Sequence, residues 1–273
     1  MKKGTITNLI LVLVFIAGLS LLLYPSFSDY WNSLHQSRAI TVYADNVAEL
    51  DKESYQHILD AAVDYNKGLL LRENQFSLTA EQRAAYPEML NLAGNGIMGY
   101  IEIPSIKCSL PIYHGIDETV LQVAIGHIEW TSLPTGGEST HCVLSGHRGL
   151  PSAKLFSELD KLREGDLFMI RVLDELFTYE VDRILIVEPS EVDSLMIEEG
   201  KTYCTLVTCT PYGINTHRML VRGHRVENPK EAATIRVTAN AIQVEPMVVA
   251  AIVSVPLLLI VLPVLMSDRR KRR

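Results

Sequence analysis

Apolar positions follow three different patterns along the chain. At the two ends they run without a break. Residues 9–23 carry no charge, and 247–266 form a second run of twenty residues. About twenty apolar residues cross the roughly 30 Å hydrocarbon core of a bilayer as helix, and the first run approaches that length when 5–8 are counted with it. Between the ends the pattern is first helical. Tyr55, Ile58, Leu59 and Ala62 fall at i, i+3, i+4 and i+7, so 27–72 reads as helix, with Asn66 and Gly68 as stop signals. A polar connection, 73–78, holds one aromatic, Phe76. Thr79 opens a capping box over 79–82, and Pro87 limits that helix. From Gly99 onward the apolar residues come in short β-type runs. Tyr100, Ile101, Ile103, Ile106, Leu110, Ile112 and Tyr113 are broken by Pro104 and Pro111, and further runs lie at 141–144, 167–173, 176–188, 203–208 and 218–225. Many short strands with turn signals between them predict a mainly β sandwich or barrel, and about 130 residues suffice to close its core. The resulting organisation is an N-terminal end with anchor (1–25), a helical segment (26–98), a β domain (99–230), a linker (231–246), and a C-terminal span with its tail (247–273).

Charge orients this arrangement. Lys2 and Lys3 precede the first apolar run; Asp268 and the basic tail 269–273 follow the second. The positive-inside rule then places both termini in the cytoplasm and 25–246 outside, as a multi-pass protein of the cell membrane. The exit from the first run, Tyr24-Pro25-Ser26-Phe27, offers no A-x-A cleavage site, so an uncleaved anchor is preferred over a signal peptide. The formal charge of −7 conceals an exterior part with 18 basic and 31 acidic residues, a balance that excludes nucleic acid as partner. Four cysteines without a C-x-x-C pair make neither a disulfide scaffold nor a zinc site.

Candidate chemistry concentrates in 205–225, TLVTCTPYGINTHRMLVRGHR. Cys209 ends a β run, Pro211 and Gly213 punctuate a turn, and Arg218 lies on the returning run. A lone cysteine in a β core is more often a small buried hydrophobe than a nucleophile; the polar turn beside Cys209 argues against burial. A thiol at a strand end, with a guanidinium on the neighbouring strand, suits covalent catalysis. Of the eight histidines, His35 and His57 belong to the helical segment. His217 faces away if Arg218 faces the thiol, and His224 lies about 20 Å along the strand. His114, His127, His141 and His147 remain, with His147 favoured because Gly146 and Gly149 expose it at a strand end. Cys142 and Cys204 each precede His147 and Cys209 by five residues. If the two strands run side by side, these thiols lie level and within disulfide reach; two separately buried thiols is the preferred reading.

These residues carry a family resemblance. The 205–225 stretch, STHCVLSGHRGLPSAKLF at 139–156, GYIEIPSI at 99–106 and LPIYHG at 110–115 together resemble a class C, pilin-polymerising sortase of Gram-positive bacteria. The resemblance implies an eight-stranded β-barrel preceded by helices and flanked by two transmembrane helices. It assigns Cys209 as nucleophile, His147 as its histidine and Arg218 as the arginine. The implied activity is cysteine transpeptidation: cleavage of an LPxTG-like sorting signal between Thr and Gly, a thioacyl-enzyme, and transfer to a lysine amine of a pilin subunit. No metal or cofactor enters that chemistry. Anchoring of proteins to peptidoglycan, or a catalytically idle membrane-tethered binding module, are the alternatives. The family's mobile lid carries an Asp-Pro-aromatic motif, and here the sequence departs from it. The matching stretch is Glu73-Asn74-Gln75-Phe76. Its ring is kept, but the aspartate position is an amide that forms no ion pair with Arg218. Glu73 substitutes only with a one-residue shift. The expectation is a lid anchored mainly by Phe76 near Cys209 and held loosely; an ordinary interhelix linker is the other reading.

Overall fold

A computed structural model describes residues 3–229. The linker 231–246, the second apolar run at 247–266 and the basic tail lie outside the described residues.

The first helix, α1 (Lys3–Ala48), continues without interruption from the apolar run into the polar segment, with Pro25 inside it. Among the described residues it is the one helix long and apolar enough to cross a membrane. The single helical stretch read from the sequence at 27–72 is two helices. The second, α2 (Lys52–Leu70), begins where the Asp51 side chain accepts from the backbone N–H groups of Glu53 and Ser54. A carboxylate offering that cap lets the chain restart in a new direction. Tyr55, Ile58, Leu59 and Ala62 do form one face, which packs on the core. The capping box is also present: the Thr79 hydroxyl accepts from Gln82 N and the Gln82 side chain accepts from Thr79 N. It starts the short α3 (Ala80–Ala85), which gives way to a 3₁₀ turn containing Pro87.

Eight strands follow: β1 (Ile97–Ile103), β2 (Cys108–His114), β3 (Ile125–His127), β4 (Thr140–Ser145), β5 (Leu167–Val172), β6 (Glu175–Val187), β7 (Thr202–Thr210) and β8 (His217–Val226). A one-turn helix, α4 (Glu118–Leu121), lies between β2 and β3. The strands close into a barrel in the order β1-β2-β3-β4-β7-β8-β6-β5, with β5 paired back onto β1. Closure decides between the sandwich and the barrel that the sequence left open, and it removes the exposed edges of a sheet. Most neighbours are antiparallel, but β2–β3 and β4–β7 are parallel. The three-residue β3 escaped the sequence reading because so short a run has no measurable alternation. It is held by close packing: a Cβ on Gly126 would stand 2.0 Å from the Gly115 carbonyl oxygen.

Both faces of the β4–β7–β8 wall are covered. Cys142, Leu144, Cys204 and Leu206 point into the barrel core with Phe156, Phe168 and Tyr179. Val143, Val207 and Leu220 point outward into a second cluster with Leu195, against which Trp130 packs. Alternation along a strand explains this split, and the outward face is the one that leads to Cys209.

Candidate active site

Cys209 is the penultimate residue of β7 and lies on the same outward face as Val207. Its strand partner on β8 is Arg218, so the thiol and the guanidinium stand side by side across one rung of the ladder. Both are partly exposed. His224, set aside on distance, pairs with Tyr203 at the far end of β7. Arg218 Nη1 donates to the carbonyls of Asn215 (3.2 Å) and His217 (3.0 Å), which ties the side chain to the turn that brings it back. A guanidinium has five N–H donors, so two such bonds leave capacity for an incoming carbonyl. Within this turn Gly213 and Asn215 take positive φ, 76° and 60°, residue types that tolerate the left-handed region.

The parallel register of β4 and β7 supplies the third group. Cys142 pairs with Cys204 and Ser145 with Val207. Gly146 N donates to Val207 O (3.0 Å), and the Thr208 hydroxyl donates to Gly146 O (2.8 Å), extending the ladder past the end of β4. His147 stands two residues beyond Ser145, as Cys209 stands two beyond Val207. The same register sets Cys142 level with Cys204, yet both are free thiols, 2% and 0% exposed. Burial drives the Cys204 thiol pKa well above the usual range and that of Cys108 up to about 12, so neither competes as a nucleophile.

The histidines left open by spacing separate by their bonds. His114 has its two ring nitrogens near the carbonyls of Gly96 (2.9 Å) and Met89 (2.7 Å). His127 lies between the Tyr86 hydroxyl (2.9 Å) and Ser132 O (2.8 Å). His141 lies between Met196 O (2.9 Å) and the Thr205 hydroxyl (2.7 Å). These three rings are structural. His147 instead has a buried Nε2 without a hydrogen bond, 3.6 Å from the Glu118 carboxylate. An imidazole nitrogen not engaged by the fold is what proton transfer to a substrate requires. Glu118 was not singled out in the sequence; its only signal was an acidic residue opening α4. Gln122 donates to its other carboxylate oxygen and orients it.

Arg148, next to His147, also escaped the sequence reading. It donates to Asp160 (2.5 Å) and to the Thr210 hydroxyl (3.4 Å), and its guanidinium lies 5.9 Å from the Tyr212 ring centre. That ring covers Gly149, where an added Cβ would meet it at 2.8 Å. The loop after β4 and the turn after β7 are thus packed on one another.

The 73–78 segment is tied more firmly than expected. Phe76 packs edge-on against Trp130, with ring centres 5.4 Å apart. The Gln75 side-chain oxygen accepts from Ile197 N (2.7 Å), and Arg72 donates to Trp130 O (2.8 Å) and Ser77 O (2.7 Å). The expectation of one aromatic anchor and a loose segment is corrected by these bonds. Asn74 accepts from Phe76 N (2.9 Å), a local turn, while Arg218 Nη1 bonds its own turn. Glu73 is exposed. Trp130 joins the outward cluster containing Val207, two residues before Cys209, so the segment lies over the same wall as the thiol.

Comparison with known proteins agrees with this geometry. A model of the sortase domain matches residues 101–226. Sortase D of Bacillus subtilis (strain 168) is 31% identical over 47% of this chain and 63% of its own length, so the chain spans less than two thirds of that relative. Among solved structures, sortase C1 from Streptococcus agalactiae is 52% identical, covering 70% of this chain and all of its own, with a TM-score of 0.69. Sortase C from Streptococcus pneumoniae is 40% identical over 70% of this chain and 97% of its own, with a TM-score of 0.64. On barrel order, on the site and on these likenesses, the chain belongs to the sortase family.

Proposed function

We propose that this protein is a class C sortase, a cysteine transpeptidase that joins pilin subunits at the outer face of the cell membrane. The observation that carries the proposal is the pairing of Cys209 with Arg218 across one rung, with His147 two residues past the end of the parallel strand β4 and its Nε2 free of any hydrogen bond. The neighbours support the class: they are sortases C, one of them described in connection with pilin substrate specificity.

In this reading the attacking form of the nucleophile is the thiolate. The Cys209 thiolate attacks the Thr carbonyl carbon of an LPxTG-like signal. Arg218 donates hydrogen bonds to the developing oxyanion or to the substrate backbone, where charge appears only as the bond forms. The C–N bond to Gly breaks as His147, protonated, gives its proton to the leaving amine. The thioacyl-enzyme waits for a lysine amine of a second pilin. His147 takes a proton from that amine as the isopeptide bond forms, and Cys209 leaves as thiolate. Every step uses side chains of this chain.

The test uses the purified full chain, a sorting-signal peptide and a pilin domain with its acceptor lysine. Intact mass should show a thioacyl adduct on the wild type and none on Cys209→Ala, and tandem mass spectrometry should find the isopeptide product. Transfer to a peptidoglycan amine but never to pilin lysine would make the protein a wall-anchoring sortase. An intact peptide bound without any adduct would make it a binding module. The second membrane span rests on the apolar run and basic tail in the sequence.

A further inference from the structure

Helix α1 acts as a ruler against the barrel. Its contacts occur in order along its length. The Asp29 carboxylate accepts from Lys154 N (2.6 Å), Asn32 donates to Ser152 O (2.7 Å), and Gln36 donates to Val123 O (2.7 Å). Farther along, the Tyr43 hydroxyl bonds Met98 O (3.0 Å) and accepts from Leu173 N (2.7 Å). At 1.5 Å per residue, 29 to 43 covers about 21 Å. The loop after β4, which starts at His147 and returns with Phe156 N donating to His147 O (3.1 Å), is therefore at the start of the ruler. The β5–β6 turn, at Leu173, is at its end.

The start of the ruler is the apolar end of α1. The uncharged run closes at Leu23, and Asp29 follows about 9 Å later along the helix. Two exposed aromatics, Tyr24 and Phe27, sit in between, and Trp31 follows Asp29; interfacial rings collect at this level. The headgroup layer is about 5–7 Å deep on each side of the hydrocarbon core. The end of the barrel that carries His147 and Cys209 thus stands next to the headgroups. β7 runs parallel to β4, so the turn after Cys209 projects past the thiol in the same direction. That turn exposes two large apolar side chains, Tyr212 (64%) and Ile214 (68%), and is braced against the His147 loop through Gly149 and Arg148.

From this we infer that the β7–β8 turn, through Tyr212 and Ile214, rests in the headgroup layer of the bilayer that α1 crosses, so that the mouth beside Cys209 opens along the lipid surface. The partner of this surface is the membrane itself, continuous with the helix that enters it. The inference rests on α1 spanning the membrane, and the test separates the two.

The experiment uses the full chain bearing Cys209→Ala. The other three cysteines are buried, so an environment-sensitive fluorophore goes to one added cysteine. Three positions are compared in phosphatidylcholine–phosphatidylglycerol vesicles: Ile214→Cys, Lys201→Cys at the opposite end of β7, and Val14→Cys inside the apolar run. Headgroup-nitroxide lipid should quench the label at 214 at least about twofold more than the label at 201, as for side chains seated in the interface. Acyl-chain nitroxide should quench the label at 14. Equal accessibility at 214 and 201, with 14 quenched, would overturn the inference and leave α1 in the membrane. An unquenched label at 14 would overturn both.

Discussion

Cys209 and Arg218 are set opposite one another by backbone pairing, and His147 follows two residues after the paired end of β4. His147→Ala and Arg218→Ala should each lower the rate of thioacyl formation by at least about 10²-fold, the usual loss for a general acid or an oxyanion donor. Stopped-flow or quenched mass measurement of the adduct checks this; a loss under tenfold in either variant would remove that residue from the proposed mechanism. Glu118 differs, since it is 70% exposed and the pair with His147 is 3.6 Å long; such pairs contribute about 0–1 kcal/mol. His141 shows the opposite use of an imidazole. It is buried, its Nδ1 donates to Met196 O, and Nε2 therefore accepts from Thr205. Burial, with Arg222 adding to it, holds the His141 pKa down to about 4. The unfolded ring titrates near 6.5. Between these values the unfolded chain binds the extra proton, so this contribution to stability is complete above about pH 6.5 and fades as the pH falls towards 4. Urea midpoints measured from pH 7 to 4.5 should decline less steeply for His141→Gln than for the wild type. Equal slopes would show that His141 does not carry the acid sensitivity.

Elements that the sequence marked chemically were placed well. Capping by Thr79 and arrest by Pro87 are local events, readable from a few residues. The five β runs from residue 141 onward fell within two residues of β4 to β8, because short apolar or β-type runs bounded by turn residues mark strands even where both faces are covered. Cys209 and Arg218 were legible as partners because one short turn joins their strands. What stayed hidden depends on contacts distant in sequence. The choice among His114, His127, His141 and His147 needed the parallel β4–β7 register and the bonds that retire three of the rings. The break between α1 and α2 turned on one capping carboxylate inside a continuous helical period. The 73–78 segment belongs here too. Its motif residues suggested weak attachment, but Gln75 finds Ile197 N and Arg72 finds Trp130 O, neither visible in a linear reading. We propose that this segment is a lid whose hold is divided among Arg72, Gln75 and Phe76. Gln75→Ala leaves the Ile197 N–H without its partner, and losing a hydrogen bond of this kind costs about 0.5–1.5 kcal/mol. Gln75→Ala and Phe76→Ala should each speed modification of Cys209 by a thiol reagent severalfold, with the double variant faster than either single one. Labelling at the wild-type rate in the double variant would make the segment a plain interhelix connection.

The described residues form a barrel fastened along its side to one long helix, and that fastening makes its own prediction. Tyr43 is 3% exposed, and its hydroxyl bridges Met98 O on β1 and Leu173 N at the β5–β6 turn. Its ring lies edge-on to Tyr100, with centres 6.4 Å apart, and burial raises its pKa far above the ordinary phenol value, so the hydroxyl keeps its proton. Tyr43→Phe leaves the Leu173 N–H and the Met98 carbonyl without this partner; a buried group left unsatisfied costs about 1–3 kcal/mol. The apolar part of α1 contributes nothing comparable to the barrel, since its side chains at 9–15 are mostly exposed. A chain beginning at 26 should therefore keep the wild-type urea midpoint of the barrel, whereas one beginning at 49 should lose at least as much stability as Tyr43→Phe does. The two truncations, compared by urea unfolding monitored by tryptophan emission, separate a helix that only anchors from one that also braces the fold. If removal of 26–48 costs no more than removal of 1–25, α1 is an anchor alone, and its ordered contacts from Asp29 to Tyr43 do not fix the barrel's attitude above the membrane.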